Sequence, residues 1–387
     1  MTAIETKDDF TRFAEDFKAS ARFRAPVLFA IGGQVLTGSG TLASVRYPLV
    51  NAPGTNLGTA AVLMDALDIE PQGVQNISLA RTDITRILEG YFKPFSGEEG
   101  HGNIEALERA LTGSVRPIAT FIFDDIDPVG VEDSTLKLYG LSNRFFRPNR
   151  LNLKKVFTKL PNVTWIGDTP LDEGDVEKAL LRAAFNGDSF APDMVDKFPL
   201  YVHRIKAAKM GVRITDAHKV RLGAYLGEGT TLMPGASYIN FNAGTEGNAM
   251  VEGRISSSAF VGEGSDVGGG ASILGTLSGG NATPISVGRN CLLEANSTLG
   301  IPIGDAVIVA ADTAILQSSL VRINIIQDPL YGKTVKGGEL AGVNAVTFRR
   351  NDKGGFLEMV RTNRNIEFAR KLEDGESILS ADLHNNN

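Results

Sequence analysis

An α/β domain leading into a parallel β-solenoid and closed by a small β-rich cap is the fold class predicted by this 387-residue chain, and three observations carry it. Helical and strand signals alternate over residues 1–205. A six-residue aliphatic register replaces them over residues 206–319, and mixed polarity returns over residues 320–387. With 42% apolar composition the chain is long enough to bury cores in two or three such units.

The first segment opens with Thr6 and Asp9 spaced as a capping box ahead of an amphipathic stretch that runs to about Ala19. Residues 25–31 and 118–123 read as short buried strands, while residues 84–91, 104–111 and 176–185 carry helical apolar spacing. Gly32, Gly33, Gly38 and Gly40 follow the first strand but lack GxGxxG spacing, and residues 41–50 beyond them read as strand rather than helix. They predict a turn or hairpin rather than a phosphate-binding loop.

Eighteen of the 43 glycines fall between Gly223 and Gly304, and helical periodicity disappears there. In its place Val220, Leu226 and Leu232, then Ile255, Val261, Val267 and Ile273, then Val287, Leu293 and Leu299 recur every sixth residue. A small residue usually follows four places later, as in Val261 with Ser265 or Val287 with Cys291. A flexible glycine-rich linker has no such register. The pattern predicts a three-faced prism whose interior takes the aliphatic residues and whose stacked coils satisfy each other's backbone hydrogen bonds. The register slips at residues 240–254 and 276–284, which are expected to be loops or bulges and the places to look for chemistry.

Net charge of -6 and a pI near 5.4 leave no basic field for a phosphate backbone, so no nucleic-acid partner is expected. No apolar run approaches the roughly 20 residues that span a bilayer, and acids stand near the N-terminus where a signal peptide carries bases. No membrane association is expected, and Cys291, the single cysteine, suits a reducing, cytoplasmic setting.

Asn240-Phe-Asn-Ala-Gly-Thr245, Met250-Val-Glu-Gly-Arg-Ile-Ser256, Gly264-Ser-Asp-Val-Gly-Gly-Gly-Ala-Ser272 and Phe348-Arg-Arg-Asn351, in this order, resemble the tetrahydrodipicolinate N-succinyltransferases. So do Ile301-Pro-Ile-Gly-Asp305 and Asp196-Lys-Phe-Pro199, and the likeness covers roughly residues 130–384. It implies a left-handed coil, a homotrimer, succinyl-CoA as co-substrate, and transfer of the succinyl group to the amine of L-2-amino-6-oxopimelate in lysine and diaminopimelate biosynthesis.

The same resemblance gives Glu252 the catalytic place. A carboxylate there can act as nucleophile, through an acyl anhydride, or as general base. Arg254 is a fork for the succinyl carboxylate or a salt-bridge partner of Glu252 or Asp266. Gly269, Ser272, Ala295, Ala310, Ala311 and Ser318 fall on the family's CoA path, with Lys336, Arg349 and Arg350 as a basic group for its phosphates. The family's axial cation site is not expected here, because Met233-Pro-Gly-Ala-Ser-Tyr-Ile239 carries no acid and His218 stands where the other ligand would. An acetyl-CoA-dependent N-acetyltransferase and a non-catalytic trimeric scaffold remain the alternatives. A hexapeptide-repeat carbonic anhydrase would need about three histidines on a metal, and only His203 and His218 lie near the solenoid.

Overall fold

The computed structural model describes residues 4–276 and 283–380. Two compact units divide it: residues 1–145 with 151–199, and residues 146–150 with 200–387.

In the first unit the Thr6 side chain accepts from the Asp9 amide and Asp9 returns a bond to Thr6 N, capping the helix Lys7–Ala19. Strand Leu28–Leu36 turns through the glycine segment into Leu42–Asn51, the hairpin the spacing predicts. An antiparallel four-stranded sheet results, in the order Leu42–Asn51, Leu28–Leu36, Pro117–Ile122, Val74–Ser78. On one face Phe29, Ile31 and Phe121 pack against helices Leu57–Ala66, Arg81–Tyr91 and Gly102–Thr112 through Leu63, Ile84, Ile87 and Leu107. Helix Val131–Ser142 contacts the same sheet, its Tyr139 ring meeting Tyr47 edge-on at 5.6 Å. The Lys137 ammonium in that helix is fully buried and donates to Asp125, Ile126 O and Asn152 O, which offsets its desolvation.

The second unit is built by repetition. From Tyr225–Leu226 onward, two- or three-residue strands follow one another around three parallel sheets, and as far as Ser272–Ile273 each strand pairs with the one three further along. Val220, Leu226, Leu232, Ile255, Val261, Val267, Ile273, Leu293 and Leu299 are all buried inside, as their six-residue register requires.

Residues 240–254 depart from expectation. They form no loop but two further faces, Gly244–Thr245 and Ala249–Val251, with Thr245 and Val251 buried inside. Two things hide this in the sequence. Thr245 is polar, and its hydroxyl is satisfied by Thr230 Oγ1 at 2.7 Å, which itself donates to Gly227 O. In addition, Ile239 lies seven residues after Leu232, and Ile255 only four after Val251, so the same corner is long in one coil and short in the next. The register changes phase while the coil continues. Of residues 276–284, those numbered 277–282 lie outside the described residues.

Past Ile308–Val309 the first sheet continues through Thr347–Arg350, Leu357–Val360, Leu320–Ile323 and Thr334–Lys336. The expected β-rich cap is thus an extension of one solenoid sheet. To it is added an unforeseen helix, Asn363–Glu373, whose Phe368 packs on Ala306 and Ile308 and whose Asn365 accepts from the Thr347 hydroxyl at 2.8 Å.

Candidate active site

The pairing Leu232, Val251, Val267, Leu293, Val309, Phe348 runs straight down the first sheet with every side chain inside. Because side chains alternate along a strand, the next residue of each, Met233, Glu252, Gly268, Glu294, Ala310 and Arg349, stands in one column on the outside. Four strand spacings of about 4.8 Å put Glu252 and Arg349 roughly 19 Å apart along it. On the second sheet Tyr238, Arg254, Ser272 and Thr298 are aligned in the same way.

The corner between these sheets is where the predicted residues meet. Only Glu252 and Gly253 separate the strands Ala249–Val251 and Arg254–Ile255, and Gly253 is needed because a Cβ there would strike Ala271 O. That short corner sets Glu252 at the end of one face and Arg254 at the start of the other. Arg254 Nη2 lies 3.3 Å from Ser272 Oγ. Among the described residues it pairs with neither Glu252 nor Asp266, so the salt-bridge alternative is not realised. Gly269, Ala295 and Ala311 stack below, tied by Asn296 N to Gly269 O and Asp312 N to Ala295 O, both 3.0 Å. A Cβ built on Gly269 would sit 3.5 Å from Glu252 Oε2, so this glycine surface lies directly beside the carboxylate. Glu252, Arg254, Gly269, Ser272, Ala295, Ala310 and Ala311 therefore share one ridge.

The remaining residues do not join that ridge. Ser318 follows the strand Ala314–Ile315 at the other edge of the second sheet, in a turn held by Gly337 N to Ser319 O at 2.7 Å. Lys336 is close to that turn, because it pairs with Leu320. Arg349 and Arg350 are neighbours, but Lys336 lies three strands away, roughly 14 Å. The three do not form a single basic group: Arg349 is paired with Glu358 and Arg350 donates to Gly355 O.

Of two further acids of the first sheet, sequence reasoning named Asp266 only as a possible partner of Arg254 and passed over Glu294. Asp266 is the strand partner of Met250 and half-buried. Burial, seconded by the charge of Glu252 and opposed by Arg364, pushes its carboxyl up to about 6. Glu294 is tied down, accepting from Arg364 Nη1 at 2.9 Å and from Ala311 N at 3.1 Å. The signal available for both was position: each stands next to an inward-facing aliphatic residue of the repeat, and so must face outward on the column side. Arg364 belongs to the unforeseen helix and gave no signal. His218 contacts Asp216 at 3.2 Å, and no group of three or more metal-ligating side chains stands among the described residues.

Comparison with known proteins matches this geometry to a family. A model described as "Tetrahydrodipicolinate N-succinyltransferase N-terminal" fits residues 8–158, and one described as "Hexapeptide repeat of succinyl-transferase" fits residues 284–317. A protein of Nitratiruptor sp. named 2,3,4,5-tetrahydropyridine-2,6-dicarboxylate N-succinyltransferase is 39% identical over 95% of this chain and 100% of its own length. The Pseudomonas aeruginosa protein of that name is 43% identical over 69% of this chain and 77% of its own. A crystal structure from Campylobacter jejuni, titled as a 2,3,4,5-tetrahydropyridine-2-carboxylate N-succinyltransferase, superposes with a TM-score of 0.87 at 36% identity, covering 94% of this chain and 100% of that one. With such relatives matched along their whole length, the chain belongs to the tetrahydrodipicolinate N-succinyltransferase family.

Proposed function

We propose that the chain transfers the succinyl group of succinyl-CoA to the amine of L-2-amino-6-oxopimelate, the opened form of tetrahydrodipicolinate, at the corner occupied by Glu252. The observation that carries this reading is the ridge itself. A carboxylate, an arginine and a line of residues no larger than alanine lie along one outer edge, and that edge leads toward Arg349. A thin pantetheine arm needs such a surface, since a glycine lets a ligand approach the backbone closely.

Transfer requires the acceptor ammonium to lose a proton, the amine nitrogen to bond to the thioester carbon, and the C–S bond to break with release of CoA thiol. Glu252 serves either by taking that proton or by holding the acyl group as an anhydride before the amine attacks. Arg254, with its guanidinium exposed at the ridge and steadied by Ser272, is placed to bind the succinyl carboxylate bidentately. The scaffold that presents this ridge is read as a left-handed β-helix, supported by the hexapeptide match over residues 284–317. Three copies would pack their flat faces around a threefold axis, with a second copy walling each site. The same chemistry suits a cytoplasmic enzyme drawing on a soluble thioester pool.

Thiol release tests the reading. Wild type should release CoA from succinyl-CoA, and much less from acetyl-CoA, when L-2-aminopimelate is the acceptor. A burst of thiol equal to the enzyme concentration before acceptor is added would mark the anhydride route. No release with either thioester would remove the enzyme reading, and preference for acetyl-CoA would replace the donor.

A further inference from the structure

The outer column that holds Glu252 does not stop at the last coil. Beyond Arg349 it crosses the cap sheet through Glu358 and Arg322 to Thr334, each the strand partner of the one before. Direct strand partners point to the same side of a sheet, so the two arginines flank one glutamate on the outer face. The inner face is supplied separately by Phe348, Met359 and Ile323, all buried.

A glutamate on an outer face would ordinarily be solvated, but the Glu358 side chain is 0% exposed. Its Oε1 accepts from Arg349 Nε at 3.0 Å, and its Oε2 accepts from Asn324 Nδ2 at 3.0 Å and Asn351 Nδ2 at 3.2 Å. Burial works against the charged form, yet the bonds from Asn324, Asn351 and Arg349 outweigh it and hold the carboxyl below the usual range. A carboxylate so placed has one evident effect on its neighbour. It grips Arg349 by Nε and, among the described residues, leaves the two terminal nitrogens of a half-exposed guanidinium open to a second acceptor. Arg322, across the same glutamate, is exposed and makes no ion pair among the described residues; its guanidinium lies 5.5 Å from the centre of the Phe356 ring. Two cations with free faces thus stand two strand spacings apart, roughly 10 Å, at the end of the ridge remote from Glu252.

We propose that Glu358 is a positioning residue that presents Arg349 to the phosphates of the CoA donor, and that Arg322 is a second phosphate-binding cation beside it. The proposal rests on the succinyl-CoA reading above and adds to it. A diphosphate and a ribose phosphate at the tail of one molecule call for separated cations, and a pre-oriented fork loses less freedom on binding than a mobile side chain.

The test compares Glu358→Gln and Arg322→Gln with wild type on succinyl-CoA and on succinyl-pantetheine, a donor without phosphates. Each variant should raise KM for succinyl-CoA about tenfold, the worth of one charge-assisted hydrogen bond, with kcat and the acceptor KM nearly unchanged. On succinyl-pantetheine all three proteins should behave alike. Arg322 is exposed, so its variant tests the idea even if Glu358→Gln folds poorly. Wild-type KM in both variants, or a penalty that persists on succinyl-pantetheine, overturns the proposal alone. A wild-type protein that releases no thiol from succinyl-CoA removes the reading beneath it and this proposal together.

Discussion

Three consecutive glycines, Gly268, Gly269 and Gly270, offer a test in which fold and function separate by one residue. A Cβ at Gly268 would stand 2.7 Å from Leu293 O in the coil below, a backbone atom that cannot yield. At Gly270 the backbone has φ +73, and a Cβ would also collide with Asn296 Oδ1. Alanine at either position should cost about 2 kcal/mol or more, from displaced coil backbone at Gly268 and from the left-handed backbone together with the displaced Asn296 side chain at Gly270. Gly269 differs. Its φ is not positive, and the nearest atom to an added Cβ is Glu252 Oε2 at 3.5 Å, an ordinary contact. Gly269→Ala should therefore leave stability unchanged or raise it by about 0.4–1 kcal/mol through the less flexible unfolded chain. The methyl group would nevertheless stand on the path proposed for the acyl thioester. A misfit of this size costs about 1–3 kcal/mol, so KM for succinyl-CoA should rise tenfold or more. Urea unfolding and thiol-release kinetics on the three variants decide it. A Gly269→Ala protein with wild-type KM would show that the donor does not cross this corner. One as unstable as the other two would refute the packing argument.

Three other outcomes follow from the geometry. Asp266 has its carboxyl raised to about 6 in the folded chain against 3.8 as the reference. The folded state therefore holds the proton more tightly, and the stability this gives is present below pH 4 and lost as pH climbs through about 6. Asp266→Asn should accordingly melt above wild type at pH 8, and the gap should close toward pH 4; a gap independent of pH contradicts the assignment. Lys137→Met leaves Asp125 facing a buried apolar tail and should cost about 3–5 kcal/mol in urea unfolding, whereas a neutral result would mean that the buried ammonium is dispensable. Val267→Ala, deep in the coil at 0% exposure, should cost about 2–4 kcal/mol, and a cost below 1 would indicate a loosely packed interior.

What could be read from the sequence follows the range of each physical signal. The hairpin after Leu28–Leu36, the Thr6 cap and the six-residue register are local, and each was legible because its determinants lie within a few residues. The coil through Thr245 and Val251 was missed because a hydroxyl pair replaced an aliphatic residue and two corners changed length in opposite directions. Helix Asn363–Glu373 was missed for a related reason. It buries Asn365 and Phe368, and Asn365 is held by hydrogen bonds to Thr347 and Ala306, so a polar residue stands on the buried face where an apolar one would be looked for. Within the candidate site, Glu252, Arg254 and Gly269 were found by resemblance, and the structure adds that they share a corner. Asp266 needed the strand register to place it beside Glu252, and Glu358 with Arg322 needed a sheet that joins segments far apart in sequence.

Glu252→Gln tests the central claim most directly, since it keeps the shape of the corner and removes only the carboxylate. With CoA binding followed by calorimetry and turnover by thiol release, the variant should bind CoA as wild type does while kcat falls by about 100-fold or more. Undiminished turnover with succinyl-CoA would contradict the account and place the chemistry elsewhere on the molecule.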